Sequence, residues 1–564
     1  MRKSLISICL MFSGILAGAQ TMYDAMTFSE VNYYGTARSM SLGNAMTALG
    51  GDLGSVGINP AGSAVNPYWQ FTLTPGFSIA SSNSRWSTLD NGIYDYRNNS
   101  SKTRFIFPNT GLTMNFETGN RHGLKRYTFG FVVNTTANHL AVDNIFATGN
   151  SNTSMAGCFA SGAYGIDATE FDASNPYKGN IPWNTVLAQQ SGMIATFGGK
   201  TDEYIGINET IDSENNIYIP GPLKQRSFTM SSGSKSDIIM NFGADINDKL
   251  YLGFNLGIPT LQYVYSETFS EAALDPADFP VTMGIISTNY DSSLYRYGYQ
   301  AEMDGIYAKF GLIYVPVKGV RLGAAIKTPT LLTVRETWQL DATVNYTSLK
   351  STQSSSPVGE WSYDLRTPWE ANFGAAFTFA DKGFVSLDYE MMDYSIMKFV
   401  EHTMDDSFYA DDPYYQQNRI NRLFCGVSHS LRLGAEYKII PSVSVRAGFN
   451  LTTSPEKIYK DNLGLTVTAS DYSNFFDDFE SGRYRLGDWT YSDSRRSYAL
   501  GLGYSSNGSF FADAAFRLNR YPASYRKPYA DYIYDNDGVL DTASPVIRTD
   551  RTLCDLLFTF GWRF

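Results

Sequence analysis

Cys554-Asp-Leu-Leu-Phe-Thr-Phe-Gly-Trp-Arg-Phe564 is the stretch that decides the fold. Cys554, Leu556, Phe558, Phe560, Trp562 and Phe564 place an apolar side chain at every second position, with Asp555, Thr559, Gly561 and Arg563 between them. Side chains along a β-strand alternate between two faces, so this strand has one greasy face and one polar face. Closed by a terminal aromatic, it has the form of the last strand of an outer-membrane β-barrel. It puts the chain in a bilayer without an apolar helix. It also makes the strand ending at Phe564 the expected signal to the barrel-assembly machinery.

The same alternation recurs upstream. Trp69, Phe71 and Leu73 share a face with Phe77 and Ile79. Tyr127, Phe129, Phe131 and Val133 form another such row, as do Leu250, Leu252, Phe254, Leu256 and Ile258. So do Trp369, Ala371, Phe373, Ala375, Phe377 and Phe379, and then Val443, Val445, Ala447, Phe449 and Leu451. These rows should face lipid, where a Lys or Arg at the midplane costs roughly 2–4 kcal/mol. Charge falls instead on the opposite faces: Arg321, Lys327, Glu370, Asp388, Glu390, Arg432, Glu436, Arg446, Asp513 and Arg517.

Turn chemistry counts the strands. Short turns fall near 118–124, Asn247-Asp248, 316–319, 380–383, 439–441 and 506–508, where Gly, Asn, Asp and Pro favour tight reversals. Six such turns join twelve strands; one more precedes them (69–80) and one follows (550–564), giving fourteen. An even number is what single-chain bacterial barrels require. Long connections lie on the other side, at 81–101, 138–225, 266–295, 331–360, 400–420, 455–492 and 521–549. Short turns belong in the periplasm and long loops outside. The expected fold is therefore all-β: a 14-stranded antiparallel transmembrane barrel acting as a monomer among membrane lipids and lipopolysaccharide.

Composition agrees. Charged residues are only 18% of the chain, while 39 Tyr, 36 Phe and 49 Gly suit strands and interfacial aromatic girdles. Residues 1–19 read as a signal peptide: Arg2 and Lys3, an apolar run from Leu5 to Leu16, then Ala17-Gly18-Ala19 before Gln20. Cys9 lies inside the apolar run, which argues against a lipoprotein. The net charge of −11 becomes more negative once Arg2 and Lys3 leave, which excludes nucleic acid as a partner. Cys158, Cys425 and Cys554 remain, an odd count that permits at most one bridge. Any bridge would join Cys158 to Cys425, and Cys554 reads as a small lipid-facing hydrophobe.

Fourteen strands enclose more volume than wall side chains fill, since eight nearly suffice. The lumen is either an open pore or plugged. Residues 20–68 are the candidate plug, with 69–564 as the barrel. They contain the small-residue stretch Gly35-Thr-Ala-Arg-Ser-Met-Ser-Leu-Gly-Asn-Ala-Met-Thr-Ala-Leu49, the pair Gly50-Gly51, and the rigid turn Asn59-Pro60-Ala61-Gly62. Inward glycines recur at Gly130, Gly243, Gly253, Gly311, Gly323, Gly374, Gly434, Gly448, Gly501 and Gly503. They either relieve strand crowding or leave room for something inside.

These segments resemble the FadL-type long-chain fatty-acid transport porins of Gram-negative bacteria. Ser41-Leu-Gly-Asn-Ala-Met-Thr-Ala-Leu49, then Gly50-Gly51-Asp52, then Asn59-Pro60-Ala61-Gly62 are similar to that family's hatch, with its acidic pair reduced to Asp52. Arg321-Leu-Gly-Ala-Ala-Ile-Lys-Thr-Pro329, Phe384-Val-Ser-Leu-Asp-Tyr-Glu390 and Arg432-Leu-Gly-Ala-Glu-Tyr437 are similar to its strands. The resemblance implies a hatch within the barrel and uptake of hydrophobic small molecules. It also implies lateral release through a kink in the third strand, here 125–137, where Gly130 and Asn134 face the lumen. Asn59, Pro60, Ala61 and Gly62 would fix the hatch against that kink; the alternative is that Asn59-Pro60 only shapes the approach to the first strand.

An anionic head in a partly dry lumen needs a cation, and Lys327, Arg432 and Arg446 are the candidates. The competing reading pairs them with Glu370, Glu436, Asp388 or Asp513 in salt-bridge ladders. No cofactor, metal or enzymatic activity is expected. The four His (His122, His139, His402, His429) form no Ser/His/Asp set, and no cluster has metal spacing. Asp535-Asn-Asp-Gly-Val-Leu-Asp541 echoes a calcium loop but lacks its first and twelfth ligands. A second functional reading uses the same barrel as a subunit that docks proteins in a secretion or attachment apparatus through its long loops. Aromatics there (Phe408, Tyr409, Tyr414, Tyr415, Phe475, Phe476, Phe479) suit both readings.

Overall fold

The computed structural model describes residues 21–87, 96–172, 174–214, 216–379, 382–402, 413–460, 466–467, 485–486, 493–506, 509–532 and 544–564. The signal peptide, the 535–541 turn, and Phe408, Tyr409, Phe475, Phe476 and Phe479 lie outside them.

Fourteen antiparallel strands close into a barrel. They are β1 (Gln70–Ser87), β2 (Tyr96–Glu117), β3 (Leu124–Asn138, resuming as Ala141–Asn150), β4 (Leu223–Ile246), β5 (Leu250–Ala273) and β6 (Ile286–Tyr314). Next come β7 (Val320–Lys327 and Leu331–Tyr346), β8 (Gly359–Arg366 and Glu370–Phe379) and β9 (Gly383–Asp393 and Lys398–Glu401). The last are β10 (Val427–Ile440), β11 (Val443–Thr452), β12 (Arg495–Ser505), β13 (Phe510–Arg520) and β14 (Val546–Arg563). Neighbours pair in sequence order, and β14 pairs back onto β1 from Gln70↔Arg563 to Ser87↔Val546. The turn between β4 and β5 is tight because Asn247 and Asp248 both take positive φ (59° and 54°), which Asn and Asp tolerate best.

The predicted faces hold. Phe77, Ile79, Phe129, Phe131, Leu252, Phe373, Phe377, Leu556, Phe558 and Phe560 are exposed on the outside. Arg432, Glu390, Asp388, Arg446, Asp513 and Arg517 are buried inside. So broad an exposed apolar belt on a closed sheet is stable in hydrocarbon, and the chain is a transmembrane β-barrel. Among the described residues no helix is long and apolar enough to cross a membrane. Leu557 departs from the alternation: it faces inward and packs on Ala37 and Met40.

The long connections differ from expectation. Residues 331–346 are strand, not loop, and 138–225 contains the resumed part of β3 together with α4 (Met155–Ala163), α5 (Ala168–Phe171) and α6 (Trp183–Gln190). The reason is burial. Phe159, Val186, Leu187 and Met193 from this insertion share one core with Trp86, Phe269, Tyr290, Val344 and Ile547, which lie on the inner faces of the extended strands. The strands run on because this cap needs walls. Cys158 in α4, Cys425 and Cys554 are all unbridged.

Candidate functional site

The N-terminal segment lies inside the ring of strands, and the inward glycines explain how. A Cβ on Gly253 would collide with Pro60 and Ala61, on Gly311 with Asn59, and on Gly323 with Thr47. On Gly434 and Gly448 it would collide with Leu42 and Gly43, and on Gly501 with Ser41. Gly243 meets Ser63 and Gly374 meets Thr47 in the same way. Eight of the ten predicted glycines thus form a belt on which the plug backbone rests directly. Gly130 and Gly503 do not: the first faces Thr113 and Asn241, the second Arg446 and Asp513.

Short capped turns shape the plug. Helix α1 (Met22–Ser29) begins at a Thr21–Asp24 capping box. Thr36 caps α2 (Ala37–Ser41), and Asp52 caps α3 (Leu53–Val56) and accepts from Thr36 Oγ1 at 2.6 Å. Asn59 caps a 3-10 turn, Pro60–Val65.

The Asn59-Pro60 turn is held by several strands of the wall. Asn59 Nδ2 donates to Thr47 O (2.7 Å) and to Leu312 O on β6 (3.0 Å), and Asn241 on β4 donates to Pro60 O (3.0 Å). The turn therefore docks chiefly on β4, β5 and β6, where Gly253 and Gly311 admit backbone, with a smaller contact to the third strand. Leu53 also faces that strand: it packs on Val132, and Asn134 Nδ2 donates to its carbonyl at 3.3 Å.

Lumenal charges grip the plug through its backbone. Lys309 Nζ pairs with Glu370 (2.7 Å) and donates to Gly57 O (3.0 Å), while Tyr33 Oη donates to the same carboxylate (2.5 Å). Arg517 pairs with Asp555 (2.9 Å), donates to Tyr33 O (2.8 Å), and lies over the Tyr34 ring. Arg495 pairs with Glu30, Arg321 donates to Leu49 O, and Asp388 accepts from Thr47 N–H. Of the three predicted ligand cations, Arg446 is held by Glu436 (2.6 Å) and Asp513 (2.5 Å). Arg432 is held by Glu390 (2.7 Å) beneath the Tyr33 ring. Lys327 stands over the Tyr307 ring, 4.0 Å from its centroid, with no ion pair among the described residues. It borders a lumenal pocket of about 10 Å³ with Phe28, Lys235, Leu332, Glu370 and Met392. Lys309, Tyr33 and Asp555 were missed as anchors, although Lys309 falls between Ala308 and Phe310 on the polar face of its strand.

The wall ladder is interrupted between β2 and β3. β2 and β3 pair from Glu117↔Arg126 only as far as Asn109↔Asn134. Above that point β3 has a bulge at 135–137, and its resumed part pairs with β4 alone. Pro108, next on β2, has no N–H to offer a ladder. The chain turns inward here. Asn138 donates to Ser78 on β1 (2.9 Å), Leu140 packs on Ala80 and Leu553, and Asp143 accepts from Thr549 on β14 (3.0 Å). Part of the freed edge of β3 goes to the plug: Asn32 N–H donates to Thr136 O (2.6 Å) and Tyr34 N–H to Thr135 O (3.0 Å). Higher up, only side chains of β2 reach across, with Tyr96 bonded to Thr148, and Asn98 and Ser100 to the carbonyl of Asn144. Residues 101–108 of β2 are thus bounded below by the last ladder pair and above by these bridges. Asn134 sits at the lower corner, accepting from Asn109 Nδ2 at 2.6 Å. Gly130 lies below the break, opposite Thr113.

No protein-family profile matches the chain, and no curated protein matches it in sequence. Among solved structures it is similar over most of its length to a FadL homologue from Pseudomonas aeruginosa (12% identity, 95% of this chain and 99% of that one, TM-score 0.43). It is likewise similar to the toluene transporter TodX of P. putida (9%, 95% and 99%, TM-score 0.44). A third is the toluene transporter TbuX of Ralstonia pickettii (13%, 94% and 98%, TM-score 0.40).

Proposed function

We propose that this chain is a passive channel in the outer membrane of a Gram-negative bacterium. It takes up hydrophobic small molecules, long-chain fatty acids or similar, and releases them sideways through the barrel wall. The observation that supports this is the interrupted ladder between β2 and β3, which ends at Asn109↔Asn134 within reach of the apolar belt. A barrel that only anchors a partner has no use for an interrupted wall. A hydrophobic molecule leaving there meets hydrocarbon directly and never crosses water.

In this reading the plug is the hatch. Asn59, Pro60, Ala61 and Gly62 fasten it to β4, β5 and β6, the strands that follow the break, and Leu53 and residues 32–34 close the inner side of the break. Of the three candidate cations Lys327 supplies positive charge for an anionic head, since Arg432 and Arg446 are held by their carboxylates. The 10 Å³ pocket beside Lys327 has room for about one water, so α1 has to move when a ligand arrives.

Uptake of a labelled long-chain fatty acid by cells lacking the protein, with and without its restoration, tests the proposal. A small hydrophilic solute is the control. Restored uptake of the fatty acid alone is expected. No difference, with the barrel folded in the membrane, would overturn it and favour the docking subunit.

A further inference from the structure

Lys102 and Arg104 lie on β2 within the broken stretch. Their partners on β1 are Ala80 and Ser78, both buried on the inner face, so register sends these two cations inward as well. Yet Lys102 is exposed and Arg104 half-buried, unlike Lys309 or Arg517 on other strands. The missing ladder with β3 is what uncovers them. Neither side chain makes a hydrogen bond or an ion pair among the described residues.

Their height on the wall is readable from the outer face. Directly below, Phe105 and Phe107 are exposed to the outside, and Phe105 packs edge-on against Phe77. Directly above, the outer face turns polar: Ser81, Asn83, Asn99, Ser101 and Thr552, with one acid, Asp550, line a recess of about 340 Å³. The two cations therefore stand where the hydrocarbon belt gives way to the headgroup zone. A charged amphiphile in a bilayer puts its head at that level and its tail below. Behind them Ile106 packs on Ala37 and Met40, so the inner side of the break below the cations is apolar.

We propose that Lys102 and Arg104 form an anion station on the sill of the wall break. It holds the anionic head of a departing acyl-chain molecule while the tail passes beside Phe105 and Phe107 into the bilayer. The station rests on the lateral-release reading and gives that route a preference for anionic amphiphiles over neutral molecules of the same length. Two like charges with no acid committed to them attract a carboxylate, and in a partly dry site such a charge-assisted contact is strong.

The test uses the full-length chain reconstituted into phosphatidylcholine vesicles, with a labelled long-chain carboxylate and the primary alcohol of equal chain length as probes. The double variant Lys102→Gln/Arg104→Gln should slow carboxylate transport about tenfold, the loss of one good charge-assisted contact, and leave alcohol transport unchanged. Lys102→Arg/Arg104→Lys should restore the carboxylate rate. Equal slowing of both probes, or of neither, overturns the station. A second arm adds phosphatidylglycerol: a defect seen only then assigns the two cations to bilayer lipid and also overturns it. A wild-type chain that carries neither probe removes the channel reading itself, which is distinct from a wild type that carries both and a variant that equals it.

Discussion

Between β14 and β1 the wall is laddered from Gln70↔Arg563 to Ser87↔Val546, whereas between β2 and β3 it holds for nine pairs and stops at Asn109↔Asn134. Both seams join strands of the same two-residue alternation, and both are lined inside by buried hydroxyls and amides. The closed seam keeps one register on both sides of Pro75 in β1, with Arg517 and Asp555 paired behind it. The broken one has Pro108 on one strand and a bulge on the other, and Asn138, Leu140 and Asp143 find partners beyond β2, on β1 and β14. A seam opens where the inward contacts of a strand outcompete its ladder. The plug then satisfies part of the edge left behind, because buried N–H and C=O groups cannot go unpaired.

The most severe way to break this comparison is to straighten the strand. Deleting His139 and Leu140 removes two residues, which preserves the alternation of everything above. The upper part of β3 can then pair with β2 as it should at a closed seam. Hydrophobic uptake should fall to background while the barrel still migrates as a folded, heat-modifiable band. Retained uptake would mean that the break is not the exit.

Arg517→Ala strikes the closed seam. It strands the buried carboxylate of Asp555 and frees the carbonyl of Tyr33. Breaking a buried pair from one side costs roughly 3–5 kcal/mol, and the urea midpoint of the barrel should fall accordingly. An unchanged midpoint would show that the plug and β14 are not coupled through this residue.

Gly311→Val sharpens the role of the belt. The new side chain meets Asn59 and Pro60, and overpacking of this kind costs about 1–3 kcal/mol. The plug should shift off β6, and a small hydrophilic antibiotic should enter cells faster than through the wild type. No added leak would mean that the plug is held without this contact.

The smallest effect concerns the cap, whose core reaches Trp86 and Ile547 at the upper end of the closed seam. Burial in α4 pushes the Cys158 thiol up to about 12. Only a trace of it is thiolate between pH 7 and 9, so its alkylation should be far slower than that of an exposed thiol and still climbing at pH 9, where the exposed thiol levels off. A rate that matches an exposed thiol and levels off with it would report that the cap opens.

Much of this was legible from residue order. The strand count, the turn positions and the inside and outside faces follow from local alternation and turn chemistry, and Phe373, Leu556, Arg432 and Asp513 all sit where that pattern puts them. The glycine belt was visible as a list of positions but not as a surface, since nothing local says that Gly253 and Gly311 meet Pro60 and Asn59. Pro108 was the one local sign of the break and went unread, because a single proline in a strand marks an edge only once its neighbour is known. Arg446 looked as available as Lys327, and only the fold shows that Glu436 and Asp513 already hold it.

Sequence by itself determined that this chain is a fourteen-strand barrel with a polar lumen and a small-residue segment to fill it. Those features depend on the period of two and on residues a few positions apart. Tertiary structure alone decided which contacts interrupt the wall, which lumenal cations stay free, and that the Asn59-Pro60 turn docks chiefly on β4 to β6. These are outcomes of competition between contacts hundreds of residues apart in the chain, and only closing the barrel brings the competitors together.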